Sequence, residues 1–195
     1  MPTVRTCQLR LRPRYSVPYL YEESYQWYES FDSLGELLER PNPTYALDLL
    51  EKLVDHLVQD CGWPTNKINL FGFGQGGSLV AEFGLRWWNA KQGMPRNTHF
   101  ASIVSVAGPL LSYPTPSRPC PTPILVFHRP SEATGLFSAD ITSFKKGFTN
   151  VQEVKGGKGD GMPRSRAEWE DIMRFWSENL SRQQIDGLYE VMSRR

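Results

Sequence analysis

Residues 70–83 read LFGFGQGGSLVAEF, an apolar run that passes into four glycines within six residues. The apolar run begins at Ile68 and has the length of a buried strand, and residues 76–91 carry the pattern of a helix. A strand that turns into a helix through clustered glycines is typical of two kinds of site. One is a loop that binds phosphate groups, and the other is the turn that presents the nucleophile of a hydrolase.

Strands and helices alternate on both sides of this turn. Continuous apolar strands separated by helices are typical of a mostly parallel sheet that helices cover on both faces. With 195 residues the chain is long enough for one such domain, over 1–195. The predicted strands are 68–73, 101–108, 123–128 and 151–154, with an alternating strand pattern over 5–12, and the predicted helices are 43–60, 76–91, 139–147, one after 161, and 181–193.

Two of the predicted helices have recognisable starts. Asn42 and Pro43 suit the N-cap and the first helical position of the helix over 43–60. Ser165 and Glu168 have the spacing of a capping box. The helix after Ser165 is expected to bury one apolar face, which consists of Trp169, Ile172, Met173 and Trp176.

Composition excludes several classes of function. Net charge is +1, from 22 basic and 21 acidic residues, so there is no electrostatic case for nucleic acid or an anionic membrane. No apolar run approaches a membrane span. Cys7, Cys61 and Cys120 are an odd number without CxxC spacing, which argues against a zinc site and a disulfide framework. We expect reduced thiols, a cytoplasmic protein, and neither cofactor nor metal.

The glycine stretch fits a nucleotide site poorly. Gly72, Gly74 and Gly77 match G-x-G-x-x-G between a strand and a helix. A dinucleotide site also needs an acidic residue near the end of the next strand, where it binds the ribose hydroxyls. That strand ends in SVAGP, residues 105–109, without an acid. Nucleotide binding is therefore the weakest of the functions considered.

The same residues fit the hydrolase turn G-x-S-x-G at every position except the central one. Residues 72–77, GFGQGG, hold Gly74 where the nucleophilic serine belongs. This stretch resembles the phospholipase/carboxylesterase family that includes acyl-protein thioesterases, in which it typically reads G-F-S-Q-G-G. The lead-in PTNKI over 64–68 and the segment YQWYESFD over 25–32 are also similar to that family. The resemblance spans about residues 5–180 and implies an α/β-hydrolase fold.

The resemblance also assigns the other catalytic positions. The family's acid position corresponds to Glu132, after PILVFH, and its histidine base corresponds to Asp160 in GGKGDGMP. The backbone N–H of Gln75 corresponds to one donor of the oxyanion hole. The series therefore reads Gly74, Glu132, Asp160. A glycine has no side chain that can attack a carbonyl, and a carboxylate is a poor base for a hydroxyl at neutral pH.

Other residues are weak replacements for the missing groups. Ser78 lies one helical turn beyond the elbow and is not expected to point at an acyl group. His128 ends a strand and is expected to anchor the core or a loop. Cys61 is expected to be a packed thiol rather than a nucleophile, and His56 and His99 to be surface or helix residues.

Two further expectations concern the N-terminal part. In the family an earlier strand ends in an H-G-x-G-like loop that supplies the second oxyanion donor, and this chain is expected to lack it. Either the chain is an N-terminally shortened member, or residues 5–12 have moved into the place of the missing strand. The aromatic residues over 15–31 either border an acyl-binding groove or cover the sheet and the helix over 43–60.

The sequence thus favours a non-catalytic binding or scaffold protein with an α/β-hydrolase fold. Its partner would be a small acyl-type ligand or another protein. The alternative is a residual serine-type hydrolase of carboxylic esters or acyl thioesters, with rearranged catalytic groups.

Overall fold

Four parallel strands of five residues each form the central sheet of the computed structural model. The model describes residues 8–13, 15–17, 23–39, 41–91, 99–129, 138–159 and 161–182. In chain order the elements are β1 (Tyr15–Ser16), β2 (Tyr25–Gln26), α1 (Thr44–Gln59), a 3₁₀ turn (Thr65–Lys67), β3 (Asn69–Phe73), α2 (Gln75–Ala90), β4 (Ser102–Val106), β5 (Ile124–His128), α3 (Ser138–Gly147), β6 (Val151–Lys155) and α4 (Arg166–Arg182).

The sheet has the order β3-β4-β5-β6, so each strand pairs with the next one along the chain. Parallel pairing requires a crossover between strands, and α2 and α3 supply two of these crossovers. All four strands therefore end at the same edge of the sheet, where Phe73, Val106 and His128 are the last residues of their strands. The short strands β1 and β2 form a separate antiparallel pair.

Helices cover both faces of the sheet, as the continuous apolar strands predict. Neighbouring strand residues such as Ile103 and Val104 belong to different hydrophobic clusters, because successive side chains of a strand point to opposite faces of the sheet. On one face α2 and α3 pack with Ile103, Ile124 and Val126, and α1 packs against the outer side of α2 through Leu47, Leu50 and Val54. On the other face α4 packs through Ile172 and Phe175 against Val104, Leu125 and Phe127.

Both predicted helix starts are observed within a residue or two. Asn42 Oδ1 accepts a hydrogen bond from the Thr44 N–H at 3.0 Å, and Pro43 occupies the N-cap position one residue before the helix. Ser165 Oγ accepts from the Glu168 N–H at 3.2 Å, which is one half of a capping box, while the Glu168 carboxylate accepts from the Arg164 N–H at 2.7 Å.

Two sequence predictions need correction, and a third falls mostly outside the described residues. Residues 8–13 lie outside any strand, and Leu9 and Leu11 are 57% and 41% exposed. An alternating pattern forms a strand only when a neighbouring strand takes up its hydrogen bonds, and no described strand pairs with these residues. Met173 is 56% exposed, so it is not part of the buried face of α4. The predicted final helix over 181–193 lies mostly outside the described residues, and α4 itself extends to Arg182.

Within the described ranges, none of the helices combines the length and the apolar character that a bilayer crossing demands.

The register of α4 gives a direct test of this packing. Ile172 is fully buried against the sheet and Met173, the next residue, is largely exposed. We expect Ile172→Ala to reduce the free energy of unfolding by about 2–5 kcal/mol, because it removes buried methyl groups and leaves a cavity. Met173→Ala should change it by less than about 0.5 kcal/mol, as surface substitutions usually do. Urea denaturation measures both, and equal losses would contradict the register.

Candidate active site at the turn between β3 and α2

Gly74 is the single residue that connects β3 to α2. Its backbone has φ of 54° and ψ of −123°, a conformation that costs strain for any residue with a side chain. The Gly74 N–H donates to the Val106 carbonyl at 2.8 Å, and its own carbonyl accepts from the Ser78 N–H at 3.1 Å. The turn is therefore attached to the end of β4 on one side and to the first turn of α2 on the other.

Close packing explains two of the surrounding glycines. A Cβ at Gly72 would lie 2.0 Å from the Gly76 carbonyl oxygen, and one at Gly108 would lie 2.3 Å from the Ser78 nitrogen. At Gly74 the situation is the opposite, since no described atom lies within 4 Å of the position that a Cβ would take. A side chain at the apex of this turn would thus project into open space.

These two environments predict different costs for the same substitution. Gly74→Ala should reduce the free energy of unfolding by about 1–3 kcal/mol, because alanine is strained at this φ although it has room. Gly72→Ala should cost more than Gly74→Ala, or prevent folding, because its clash is with rigid backbone atoms. Chemical denaturation of both variants checks this order, and a neutral Gly72→Ala would show that the turn is not crowded.

Gln75 follows the apex and begins α2. Its backbone N–H is in the first helical turn, where N–H groups have no carbonyl partner within the helix and are suited to an anionic oxygen. Its side-chain amide holds the aromatic segment. Oε1 accepts from the Trp27 N–H at 2.8 Å, while Nε2 donates to the Tyr28 carbonyl at 3.1 Å and to Ser30 Oγ at 2.8 Å. This side-chain role was not visible in the sequence, because the partners lie more than 40 residues away.

The aromatic segment contains both buried and exposed rings. Tyr28 is buried, and Trp27 packs against the cluster between α1 and α2. Tyr25 and Phe31 are each more than half exposed. The anchoring role is therefore observed, and exposed rings remain beside it.

Ser78 lies behind the turn rather than at its mouth. It is 1% exposed and makes no hydrogen bond through Oγ that meets standard geometry within the described chain. The Ser78 hydroxyl affects the pKa of Tyr28. Burial raises that pKa, the Ser78 hydroxyl partly offsets the rise, and the charge of Glu82 adds to it. A group so enclosed has no access to a substrate in front of Gly74.

His128 ends β5 and is also enclosed. Its side chain is 9% exposed, and Nε2 lies 2.9 Å from Glu153 Oε1 on the neighbouring strand. This hydrogen bond from His128 is the main cause that lowers the pKa of Glu153. The contact ties the ends of β5 and β6 together, which agrees with the anchoring role expected for this histidine.

Arg129, the next residue, organises the loop that follows β6. It is 6% exposed and donates both terminal nitrogens to the Glu168 carboxylate, each at 2.7 Å. The same guanidinium donates to the carbonyls of Gly157 at 3.1 Å and Met162 at 3.0 Å. Asp160 lies between those two carbonyls in sequence but outside the described residues, and so does Glu132. Their proximity to Gly74 stays a prediction.

Glu168 carries the lowest pKa of this region. Hydrogen bonds from Arg129 first, then from the Arg164 and Gly157 N–H groups, lower its pKa to about 2. The capping-box spacing predicted Ser165 as the cap, but it did not reveal that the Glu168 carboxylate would bind an arginine 39 residues away. The pair fixes Gly157 and Met162 relative to the end of β5.

A pH-dependent loss of stability should follow from this pair. A carboxylate with a lowered pKa stabilises the fold above its unfolded pKa, and the stabilisation disappears as the pH falls through the folded value. Glu168→Gln should therefore be less stable than the parent protein at neutral pH, and the difference should shrink between about pH 4.5 and about pH 2.

Urea denaturation across that range measures the difference. Glu170→Gln is the matched control, because Glu170 lies on the same helix with 67% of its side chain exposed. It should show a small, pH-independent difference. A pH-independent deficit for Glu168→Gln would contradict the ionic origin of its contribution.

The prediction that Cys61 is a packed thiol is wrong, since this residue is exposed. It lies just beyond the end of α1, where the chain has left the buried face of the helix. His56 is exposed on α1, and His99 is partly buried, which lowers its pKa.

Comparison with known proteins agrees with this geometry. No family model matches the chain. A curated relative, an uncharacterized hydrolase of Mycosarcoma maydis, is 35% identical over 176 residues, which are 89% of this chain and 65% of the relative. The chain thus spans just under two thirds of that protein's length.

Several solved structures share the architecture. They include maize acyl-protein thioesterase 2, with a TM-score of 0.58, 19% identity and coverage of 79% of this chain and 72% of that one. Arabidopsis thaliana SOBER1 has a TM-score of 0.60 at 18% identity, with 82% and 76% covered. Esterase PE8 has a TM-score of 0.61 at 16% identity, with 79% and 70% covered.

The chain is therefore an α/β-hydrolase-fold protein, as the resemblance in the sequence implied. The solved structures with this fold that the chain matches include an esterase and an acyl-protein thioesterase.

Proposed function

We propose that this chain is a non-catalytic member of the phospholipase/carboxylesterase/thioesterase group, which binds an acyl-type ligand at the turn without cleaving it. The observation that carries the proposal is Gly74. The turn that would present a nucleophile is formed, its apex faces open space, and the apex has no side chain.

The backbone supports binding rather than hydrolysis. The Gln75 N–H is suited to donate a hydrogen bond to a carbonyl or carboxylate oxygen in front of the turn. The buried Ser78 and His128 are not placed to supply a substitute nucleophile or base. Glycine at the apex also removes the strain that a serine would suffer at this φ, so the turn persists at low cost without its catalytic residue. The free thiols of Cys61 and Cys120 support a reducing compartment such as the cytosol.

Reconstruction of the missing groups tests the catalytic half of the proposal. We expect hydrolysis of a p-nitrophenyl ester to stay at background for the unmodified chain and for Gly74→Ser, because the serine has no base. Adding Asp160→His should raise the rate, since a positioned general base contributes about 10²–10⁴-fold in established enzymes. The rise should be smaller here, because the geometry was not selected for turnover.

The matched control is Gly76→Ser combined with Asp160→His. Gly76 accepts a Cβ without a clash, since the nearest atom would be Trp27 Nε1 at 3.6 Å, but it lies within α2 rather than at the apex. This control should stay inactive. Turnover by the unmodified chain, together with labelling by a fluorophosphonate probe, would instead establish the residual hydrolase.

Binding is tested separately by calorimetric titration of the protein with palmitic acid. Gly74→Leu fills the open space in front of the turn, and it should abolish binding if the ligand occupies that space. Gly76→Ala is the control that should leave binding unchanged. Undiminished affinity of a folded Gly74→Leu variant would place the ligand elsewhere and refute the proposed site.

A further inference from the structure

The C-terminal end of α1 and the two residues that follow it bring three side chains together on the surface: those of His56, Asp60 and Cys61. The His56 carbonyl accepts hydrogen bonds from the N–H groups of both Asp60, at 2.9 Å, and Cys61, at 3.2 Å. The backbone therefore winds back over the turn that carries His56. Cys61 is held there by main-chain hydrogen bonds and not by its side chain alone.

Side-chain contacts within this turn follow the order thiol, imidazole, carboxylate. His56 Nδ1 lies 2.6 Å from Asp60 Oδ2, and His56 Nε2 lies 3.8 Å from Cys61 Sγ. An ionised carboxylate only accepts hydrogen bonds, so Nδ1 carries the proton and the lone pair of Nε2 faces the thiol. This is the relation of nucleophile, base and orienting group that activates cysteine in nucleophilic sites, where contacts are often longer before a reactant binds.

Exposure separates Cys61 from the other cysteine that the structure describes. The His56 and Asp60 side chains are 60% and 66% exposed, and Cys61 is exposed as well. Cys120 is completely buried, donates its thiol to the Gly84 carbonyl at 3.8 Å, and has its pKa raised by that burial. Only the first of these two thiols can meet a reagent in solution.

We propose that Cys61 is a thiol–disulfide exchange site for low-molecular-weight disulfides, with His56 as its base and Asp60 as the positioning residue. In the reaction His56 Nε2 takes the thiol proton as Cys61 Sγ attacks one sulfur of the disulfide. A mixed disulfide forms, the original S–S bond breaks, and the leaving thiolate takes the proton from His56. No other oxidant is required. The proposal is independent of the acyl-binding function and of the turn at Gly74.

Oxidised glutathione is the probe that tests it, with the modification at each cysteine followed by peptide mass spectrometry of the intact folded chain. Cys61 should be modified faster than the same cysteine in a free peptide of residues 53–64, which is too short to hold a helix in water. Cys120 should remain unmodified. His56→Asn should slow the modification of Cys61 by roughly tenfold, because the base is lost.

Asp60 is distinguished from a merely structural residue by rescue. Asp60→Ala should slow the reaction and Asp60→Glu should restore most of it, while thermal unfolding stays unchanged in both because the site is exposed. Asp171→Ala, on the opposite face of the sheet, is the matched carboxylate control and should have no effect. A Cys61 that reacts at the rate of the free peptide, or at the same rate in His56→Asn, would overturn the proposal.

Discussion

The contact between the glycine turn and the end of β4 is the constraint on which the site depends. The Gly74 N–H reaches the Val106 carbonyl at 2.8 Å, and the chain then passes so close to the turn that a Cβ at Gly108 would overlap the Ser78 nitrogen. Between them Ala107 holds a φ of 53°, and its N–H donates to the Phe127 carbonyl at 2.8 Å. A non-glycine residue in this conformation is strained, and the strain is tolerated because hydrogen bonds on both sides determine the backbone. The ends of β3, β4 and β5 are thereby joined into one edge.

The opposite end of that edge is fixed by charge instead of by close packing. Arg129 directly follows β5, and its side chain binds Glu168 and the carbonyls of Gly157 and Met162. The guanidinium is almost fully buried, but its hydrogen bonds are to oxygen atoms, and the carboxylate binds it with both oxygens. A buried charge is tolerated only when it is paired and hydrogen-bonded in this way. Close packing thus holds the chain around Gly74, whereas a buried ion pair holds Gly157 and Met162.

The sequence predicted the elements of the fold more reliably than the contacts between them. The strands β4 and β5 and the helix α2 were predictable because a buried parallel strand needs an unbroken apolar run and a crossover helix lies between such strands. The strand over 5–12 was not, because a strand is stabilised by its neighbour and alternation alone does not provide one. The predicted burial of Met173 was wrong, because the four apolar residues of the helix cover a wider face than the sheet can contact.

The candidate site shows the same division between local and distant information. Gly74 was identified from its neighbours in sequence, because the crowding that demands Gly72 is local. The Gln75 amide, which binds residues 27–30, and the Arg129–Glu168 pair were not predicted, since each joins segments far apart in the chain. Cys61 was predicted to be packed because cysteine usually is, whereas the hydrogen bonds at the end of α1 turn it toward solvent.

The absence of a nucleophile and the persistence of its turn have a common physical explanation. In a hydrolase the apex residue must tolerate a strained φ, and the surrounding contacts must hold it there. When glycine takes that position the strain disappears, while Gly72, Gly108 and the Val106 carbonyl still define the path of the chain. The loss of the catalytic residue that we propose would therefore leave the path of the turn unchanged. This is the physical basis of the proposal that the turn holds a carbonyl group without cleaving it.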